Sequence, residues 1–150
     1  MAKKEFDPLL LANQICFPLY ASARKIVAAY NPFLKKIGLT YAQYVTMMVL
    51  WEEHTVTMHD LGKRLYLDSG TLTPVLKKLE GMGYLKRRRK PEDERVLLVE
   101  ITPEGIAMRE QAEKIPYEIG CIVHKKGKKF TIEETEALRE QLYRLLQALE

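Results

Sequence analysis

Cys16 is the side chain best equipped for reaction chemistry. A thiolate attacks the O–O bond of a peroxide and becomes a sulfenic acid, and phenolic hydroxyls close to the sulfur donate hydrogen bonds that favour the thiolate. Three phenols meet this need by position. Tyr20 follows Cys16 by one helical turn on the same face, and Tyr30 and Tyr41 flank the break after that helix. A cysteine on an apolar helical stripe is more often a small buried hydrophobe, so the residues alone leave both roles open. Cys121 is the second of two cysteines. The start Met1-Ala2-Lys3-Lys4-Glu5 has no apolar run leading to a small-residue cleavage site. The expected location is therefore the cytoplasm, where thiols stay reduced.

Other chemistries find little support. His54, His59 and His124 are scattered, with no Cys-x-x-Cys or His-x-x-x-His spacing, so no metal and no cofactor is expected. There is no glycine-rich phosphate loop and no Gly-x-Ser-x-Gly elbow, which argues against an enzyme. Apolar runs such as residues 45–51 are too short to span a bilayer, so no membrane partner is expected.

The elements that must position Cys16 read as helices. Asp7 suits an N-cap and Pro8 a first-turn proline, which predicts a long helix from residue 8. Leu9, Ala12, Cys16, Leu19, Ala23, Ile26 and Tyr30 form one apolar stripe at three- and four-residue spacing. Pro18 falls inside it and should bend the helix near Cys16, which should end by Asn31-Pro32. A short helix over 32–37 stops at Gly38, Thr40 caps a helix over 41–54 with core positions Tyr44, Val45, Met48 and Trp51, and Thr57 caps the next, with Leu61 and Leu65 inward.

Residues 57–102 carry the clearest order: helix, tight turn, helix, then strands over 84–89 and 95–101 joined by Lys90-Pro91-Glu92-Asp93-Glu94-Arg95. That is a winged helix-turn-helix, a shape that enters a DNA groove. Its second helix buries Leu72, Val75, Leu76, Leu79 and Met82. The opposite face carries Gly70, Thr73, Pro74 and Lys77, flanked by Thr71 and Lys78, and the helix opens at Asp68-Ser69. Small residues allow close approach to base edges, hydroxyls bond bases or phosphates, and lysines neutralise phosphates. Leu97, Val99 and Ile101 should alternate inward, while Arg87 on the first strand and an Asp93-held Arg95 at the hairpin tip complete the candidate DNA contacts. Net charge agrees: residues 59–95 hold ten Lys and Arg against six Asp and Glu, and the remainder balances at fourteen each.

Thr102-Pro103-Glu104 opens a helix carrying Ile106, Ala112, Ile115, Ile119 and Ile122, which Pro116 should bend or break. Lys125-Lys126-Gly127-Lys128-Lys129 reads as a solvated connection, and Thr131-Ile132-Glu133-Glu134 is a capping box before the stripe Leu138, Leu142, Leu145 and Leu149. The DNA module spans 40–102. The flanking helices, 8–37 and 103–150, have long apolar stripes without partners inside it, which predicts a homodimer reading a palindromic operator in successive major grooves about 34 Å apart.

Three segments carry a family resemblance: Asn13-Gln14-Ile15-Cys16-Phe17-Pro18-Leu19-Tyr20-Ala21-Ser22-Ala23-Arg24, Leu39-Thr40-Tyr41-Ala42-Gln43-Tyr44, and Tyr66-Leu67-Asp68-Ser69-Gly70-Thr71-Leu72-Thr73-Pro74. Together with Asp93 and Arg95 they resemble the organic hydroperoxide resistance regulators of the MarR family, over nearly the whole chain. The resemblance implies a mainly α dimer with a small β-hairpin wing, a repressor that binds double-stranded DNA when reduced and lets go when organic hydroperoxides oxidise Cys16. It implies that Tyr30 and Tyr41 reach a sensing cysteine across the dimer interface, that Tyr20 neighbours the same pocket, and that Arg95 enters the minor groove. Pro18 departs from the pattern, where an apolar helix former is more typical. Two-cysteine members carry a resolving thiol that Cys121 resembles; a small cytosolic thiol is the other option. Competing readings are a MarR-type repressor released by an apolar or phenolic ligand with Cys16 structural, a thiol peroxidase, and an architectural DNA binder.

Overall fold

A computed structural model describes residues 6–125 and 130–150. The element order is α1 (Cys16–Lys36), α2 (Tyr41–Glu53), β1 (Thr55–Thr57), α3 (Met58–Leu65), α4 (Ser69–Gly81), β2 (Leu85–Lys90), β3 (Asp93–Ile101), α5 (Pro103–Ala112), α6 (Ile115–Val123) and α7 (Ile132–Ala148). The chain forms two compact units, one ending at Ala112 and one comprising Glu113–Glu150.

The first helix starts later than its sequence suggests. Asp7 spends its carboxylate on a local turn: Oδ1 accepts the Leu9 N–H at 2.8 Å, and Asn13 Nδ2 donates to the Asp7 carbonyl at 2.7 Å. The Gln14 side chain donates to the Pro8 carbonyl, and a single 3₁₀ turn covers Leu11–Asn13. Regular α-helix therefore begins at Cys16, which removes the predicted bend: Pro18 is the third helical residue, where backbone donors lack intrahelical partners anyway. Nor does Pro32 end the helix. It sits inside α1, which continues to Lys36 and buries Leu34; the lost Pro32 donor is offset by that burial and by a closed end in which Leu39 N–H returns to the Leu34 carbonyl past Gly38 at φ 71°.

Thr40 and Gln43 form a capping box at α2, and Thr57 caps α3 through the Asp60 N–H. Between them lies a strand that the sequence reading misses. β1 pairs antiparallel with β3, Val56 opposite Val99, so the sheet is three-stranded with order β1-β3-β2 and not a simple hairpin. The hairpin register sets Leu85 opposite Ile101 and Arg87 opposite Val99, with an irregularity at Arg89/Lys90. Of the expected inward trio only Val99 is fully buried; Leu97 and Ile101 are half-buried. Leu50, Leu61, Leu72, Leu76 and Leu79 complete a core closed by helices and sheet.

In the second unit Pro116 follows the first residue of α6, so the expected break falls just before it, between α5 and α6. Thr131 accepts from Glu134 N–H at 3.1 Å while Glu134 Oε2 accepts from Thr131 N–H at 2.7 Å, the reciprocal cap its sequence predicts. No residue of α7 is buried. Of the basic run 125–129, residues 126–129 lie outside the described residues, as do Met1 to Glu5. Among the described residues no helix is long and apolar enough to cross a membrane, and no group of three His, Cys, Asp or Glu could hold a metal.

Candidate DNA interface and thiol site

The helix-turn-helix corner is fixed by Tyr66, which adopts a left-handed conformation at φ 53° and closes α3. Asp68 then caps α4: its Oδ1 accepts the Thr71 N–H at 2.8 Å and its Oδ2 the Thr71 hydroxyl at 3.1 Å, bonds that hold its carboxyl below the usual carboxylate range. Asp68 thus builds the helix start, and its negative charge is set at the positive end of the helix. Ser69, Gly70, Thr71, Thr73, Pro74, Lys77 and Lys78 are all exposed, while Leu72, Leu76 and Leu79 anchor the other face. The Thr73 hydroxyl donates to the Ser69 carbonyl at 2.6 Å, which leaves its oxygen facing outward as an acceptor. A basic rim beyond a small N-terminal end suits a helix that docks end-first against a duplex.

The wing carries Arg95 at its tip. Its Nε lies 3.0 Å from Asp93 Oδ1, and that carboxylate also accepts the Arg95 backbone N–H at 3.1 Å. The side chain is nevertheless 91% exposed, so the acid orients the guanidinium without covering it. Ion pairing with Arg95 holds the Asp93 carboxyl below its ordinary range. Arg87 differs from the other expected DNA contacts. Its Nε and Nη2 reach Glu80 Oε2 at 3.1 and 2.8 Å, and its backbone N–H donates to Glu80 Oε1 at 2.9 Å. It therefore clamps β2 to the end of α4, and its guanidinium is already paired with a carboxylate of its own chain. Sequence reasoning missed Glu80 as the partner, although the seven-residue spacing across Gly81 and Gly83 is that of a helix meeting the next strand.

Cys16 is exposed on the first residue of α1. Tyr20 lies one turn on, half under the Arg24 guanidinium at 5.2 Å. Tyr30 is on the same helix, fourteen residues further, and an α-helix rises about 1.5 Å per residue. The Tyr30 ring is thus separated from the Cys16 sulfur of its own chain by roughly 21 Å of axis. Tyr41 stays with Tyr30, edge-on at 5.0 Å, and Tyr44 joins them at 5.8 Å from Tyr30. Burial, then the neighbouring Tyr41 and Tyr44, pushes the Tyr30 phenol up to about 12, so it stays a hydrogen-bond donor throughout the physiological range. Burial likewise raises Tyr44. Cys121 is exposed in α6, within the second unit.

These two features, a groove-reading helix with an arginine-tipped wing and a thiol apart from its phenols, have relatives. The family described as transcriptional regulator SarA/Rot matches residues 28–115. The organic hydroperoxide resistance transcriptional regulator of Bacillus subtilis is 42% identical over 98% of this chain and 97% of its own. The chain belongs to the organic hydroperoxide resistance regulators of the MarR/SarA winged-helix group. AbfR of Staphylococcus epidermidis, solved reduced and bound to DNA, is 37% identical with a TM-score of 0.74, covering 93% of this chain and 94% of that one. Its disulfide form matches at 37% identity and a TM-score of 0.61, over 93% and 91%.

Proposed function

We propose that this protein is a cytoplasmic, homodimeric repressor that releases a palindromic operator when organic hydroperoxide oxidises Cys16. One observation carries the reading: an exposed Cys16 on the first turn of α1, about 21 Å along the helix from the half-buried phenol pair of its own chain. A second copy can bring Tyr30 and Tyr41 to that sulfur; the same chain cannot. The uncovered stripe of α7 supports the same assembly, since apolar helix faces of this length bury against a partner.

The chemistry is a two-electron oxidation. The Cys16 thiolate attacks the distal hydroperoxide oxygen, an S–O bond forms, and the O–O pair leaves on the alkoxide, which takes a proton to become an alcohol. The resulting sulfenic acid then condenses with a thiol, forming a disulfide and releasing water. Cys121 of a second copy is the thiol we assign; a small cytosolic thiol yields the same product class. Each oxidation of Cys16 consumes one equivalent of oxidant; a sensor consumes peroxide stoichiometrically, whereas sustained turnover with a reductant would mark a thiol peroxidase. Exposed Ile15 and Phe17 beside the thiol favour bulky organic peroxides over hydrogen peroxide. Oxidation moves α1 and the phenols it engages, which changes the spacing of the two recognition helices. A loss of about 3 kcal/mol weakens binding more than a hundredfold.

The test is a gel shift on the gene's own upstream DNA. Wild-type protein should release it in cumene hydroperoxide and Cys16→Ser should hold it. Release by Cys16→Ser would overturn the assignment. Non-reducing electrophoresis tests the partner thiol: a covalent dimer that persists in Cys121→Ser removes Cys121 from the mechanism.

A further inference from the structure

The tyrosine cluster does not stop at Tyr44. Tyr44, 3% exposed, packs edge-on against Trp51 with ring centroids 6.4 Å apart. Both side chains lie on α2, seven residues apart, and so on one face. Trp51 reaches out of that helix. Its Nε1–H donates to the Gly105 carbonyl in the first turn of α5 at 2.8 Å, across 54 residues of sequence.

Gly105 is locked to the base of the wing in three ways. Its N–H donates to the Thr102 hydroxyl at 3.1 Å, and that hydroxyl donates onward to the Gly83 carbonyl at 2.6 Å. The Thr102 N–H donates to the Tyr84 carbonyl at 3.1 Å. Contact is also steric: a Cβ on Gly105 would lie 2.2 Å from the Tyr84 oxygen, so α5 sits directly against this corner. Gly83 and Tyr84 are the corner between α4 and β2, turned by Gly83 at φ 80°. An unbroken series of contacts thus runs from the phenols, through Tyr44 and Trp51, to the hinge of the DNA-reading helix and its wing.

We infer that Trp51 is a positioning residue that couples the phenol cluster to the recognition helix and wing, by holding the first turn of α5 against the Gly83–Tyr84 corner. The inference rests on the sensing reading above. Oxidation at Cys16 re-engages Tyr30 and Tyr41, and Tyr44, tilted against both rings at 5.8 and 6.4 Å, cannot keep those contacts unless it moves. Trp51 follows, because its ring meets Tyr44 and its N–H is fixed to Gly105. The hinge then turns without any DNA-contacting side chain being altered. Buried aromatic contacts of this kind are bistable, because close-packed rings re-seat and do not deform smoothly.

Trp51 is the only tryptophan of the chain, so its emission reads this joint in the unmodified protein. Cumene hydroperoxide should shift that emission in wild-type protein at the rate of DNA release, and should leave Cys16→Ser unchanged. Release of DNA with unchanged emission would overturn the coupling. Trp51→Phe keeps a ring beside Tyr44 and removes the donor. Reduced Trp51→Phe should bind operator DNA within about threefold of wild type, and mass spectrometry should show Cys16 oxidised at the wild-type rate. Oxidation should then lower its affinity less than about tenfold, against the more than hundredfold expected for wild type. A full wild-type ratio in Trp51→Phe, or an equal loss in both redox states, would overturn the inference. Should Trp51→Phe fail to fold, the wild-type emission decides alone. Wild-type protein that holds DNA with Cys16 oxidised would refute the sensing reading itself, a result distinct from any of these.

Discussion

Two helices, α4 and α7, carry comparable apolar stripes to opposite ends. In α4, Leu72, Leu76 and Leu79 are each 0% exposed, enclosed by α2, α3 and the wing. In α7, built with a complete capping box and its own leucine stripe, Leu138 is 39% and Leu145 38% exposed. Local signals are sound in both; what differs is whether one chain supplies the other half of the core. A helix of seventeen residues in a protein draws most of its stability from packing its apolar face, not from propensity. The winged-helix region is complete within one chain; in the assembly proposed above, the C-terminal helices are half of a structure that a second copy completes.

Matched substitutions sharpen that contrast. Leu76→Ala should cost about 2–5 kcal/mol, seen as a fall in thermal stability that does not vary with protein concentration. Leu138→Ala should cost little within the chain and instead raise the dissociation constant of the dimer, so that its deficit in unfolding midpoint widens as the protein is diluted. Equal, concentration-independent losses in both would break the comparison. Next in size is Arg95→Ala, which should weaken operator binding by about ten- to a hundredfold, roughly 1–3 kcal/mol, with the unfolding midpoint unchanged. Fluorescence anisotropy on operator DNA measures it, and loss of folding in the same variant would count against a purely DNA-facing role. The smallest effect is Tyr30. Burial raises its phenol to about 12 from 10.0, so folding is unaffected below pH 10 and loses stability as pH climbs from 10 to 12, where the unfolded chain ionises first. Absorbance titration of wild type minus Tyr30→Phe should give a midpoint near 12; one near 10 would place that ring in water.

Most of this architecture is legible from local chemistry. Thr40, Thr57, Asp68 and Thr131 each cap the helix that their sequence context announces, because capping needs only a hydroxyl or carboxylate two or three residues from an orphan N–H. Failures occur where distant residues decide. Asp7 has the sequence of a cap yet is captured by Leu9 and Asn13, which delays α1 to Cys16. Pro32 has the sequence of a terminator, and burial of Leu34 overrides it. β1 is three residues long, too short for alternation to show, and its β-branched Thr55-Val56-Thr57 was the available signal. At the site, the phenols and the thiol are visible in sequence, and the seven-residue spacing from Glu80 to Arg87 offers a local signal for their pairing, but nothing in the sequence shows Trp51 reaching Gly105, a contact between elements 54 residues apart.

The ion pairs of the DNA module bear on how tightly it follows salt. Arg64 is shared by Glu52 and Glu53, Arg87 is held by Glu80, and Arg88 sits 2.6 Å from Glu100. Guanidinium groups already paired with a carboxylate of their own chain displace few sodium ions from a duplex. If the recognition helix and wing meet DNA as proposed, the ionic-strength dependence of operator affinity should be set by Lys77, Lys78, Arg95 and the outward lysines of the strands, a smaller valence than the abundance of basic residues suggests. A regulator of the proposed kind would keep part of its grip as cellular salt rises and leave the larger modulation to the redox state of Cys16.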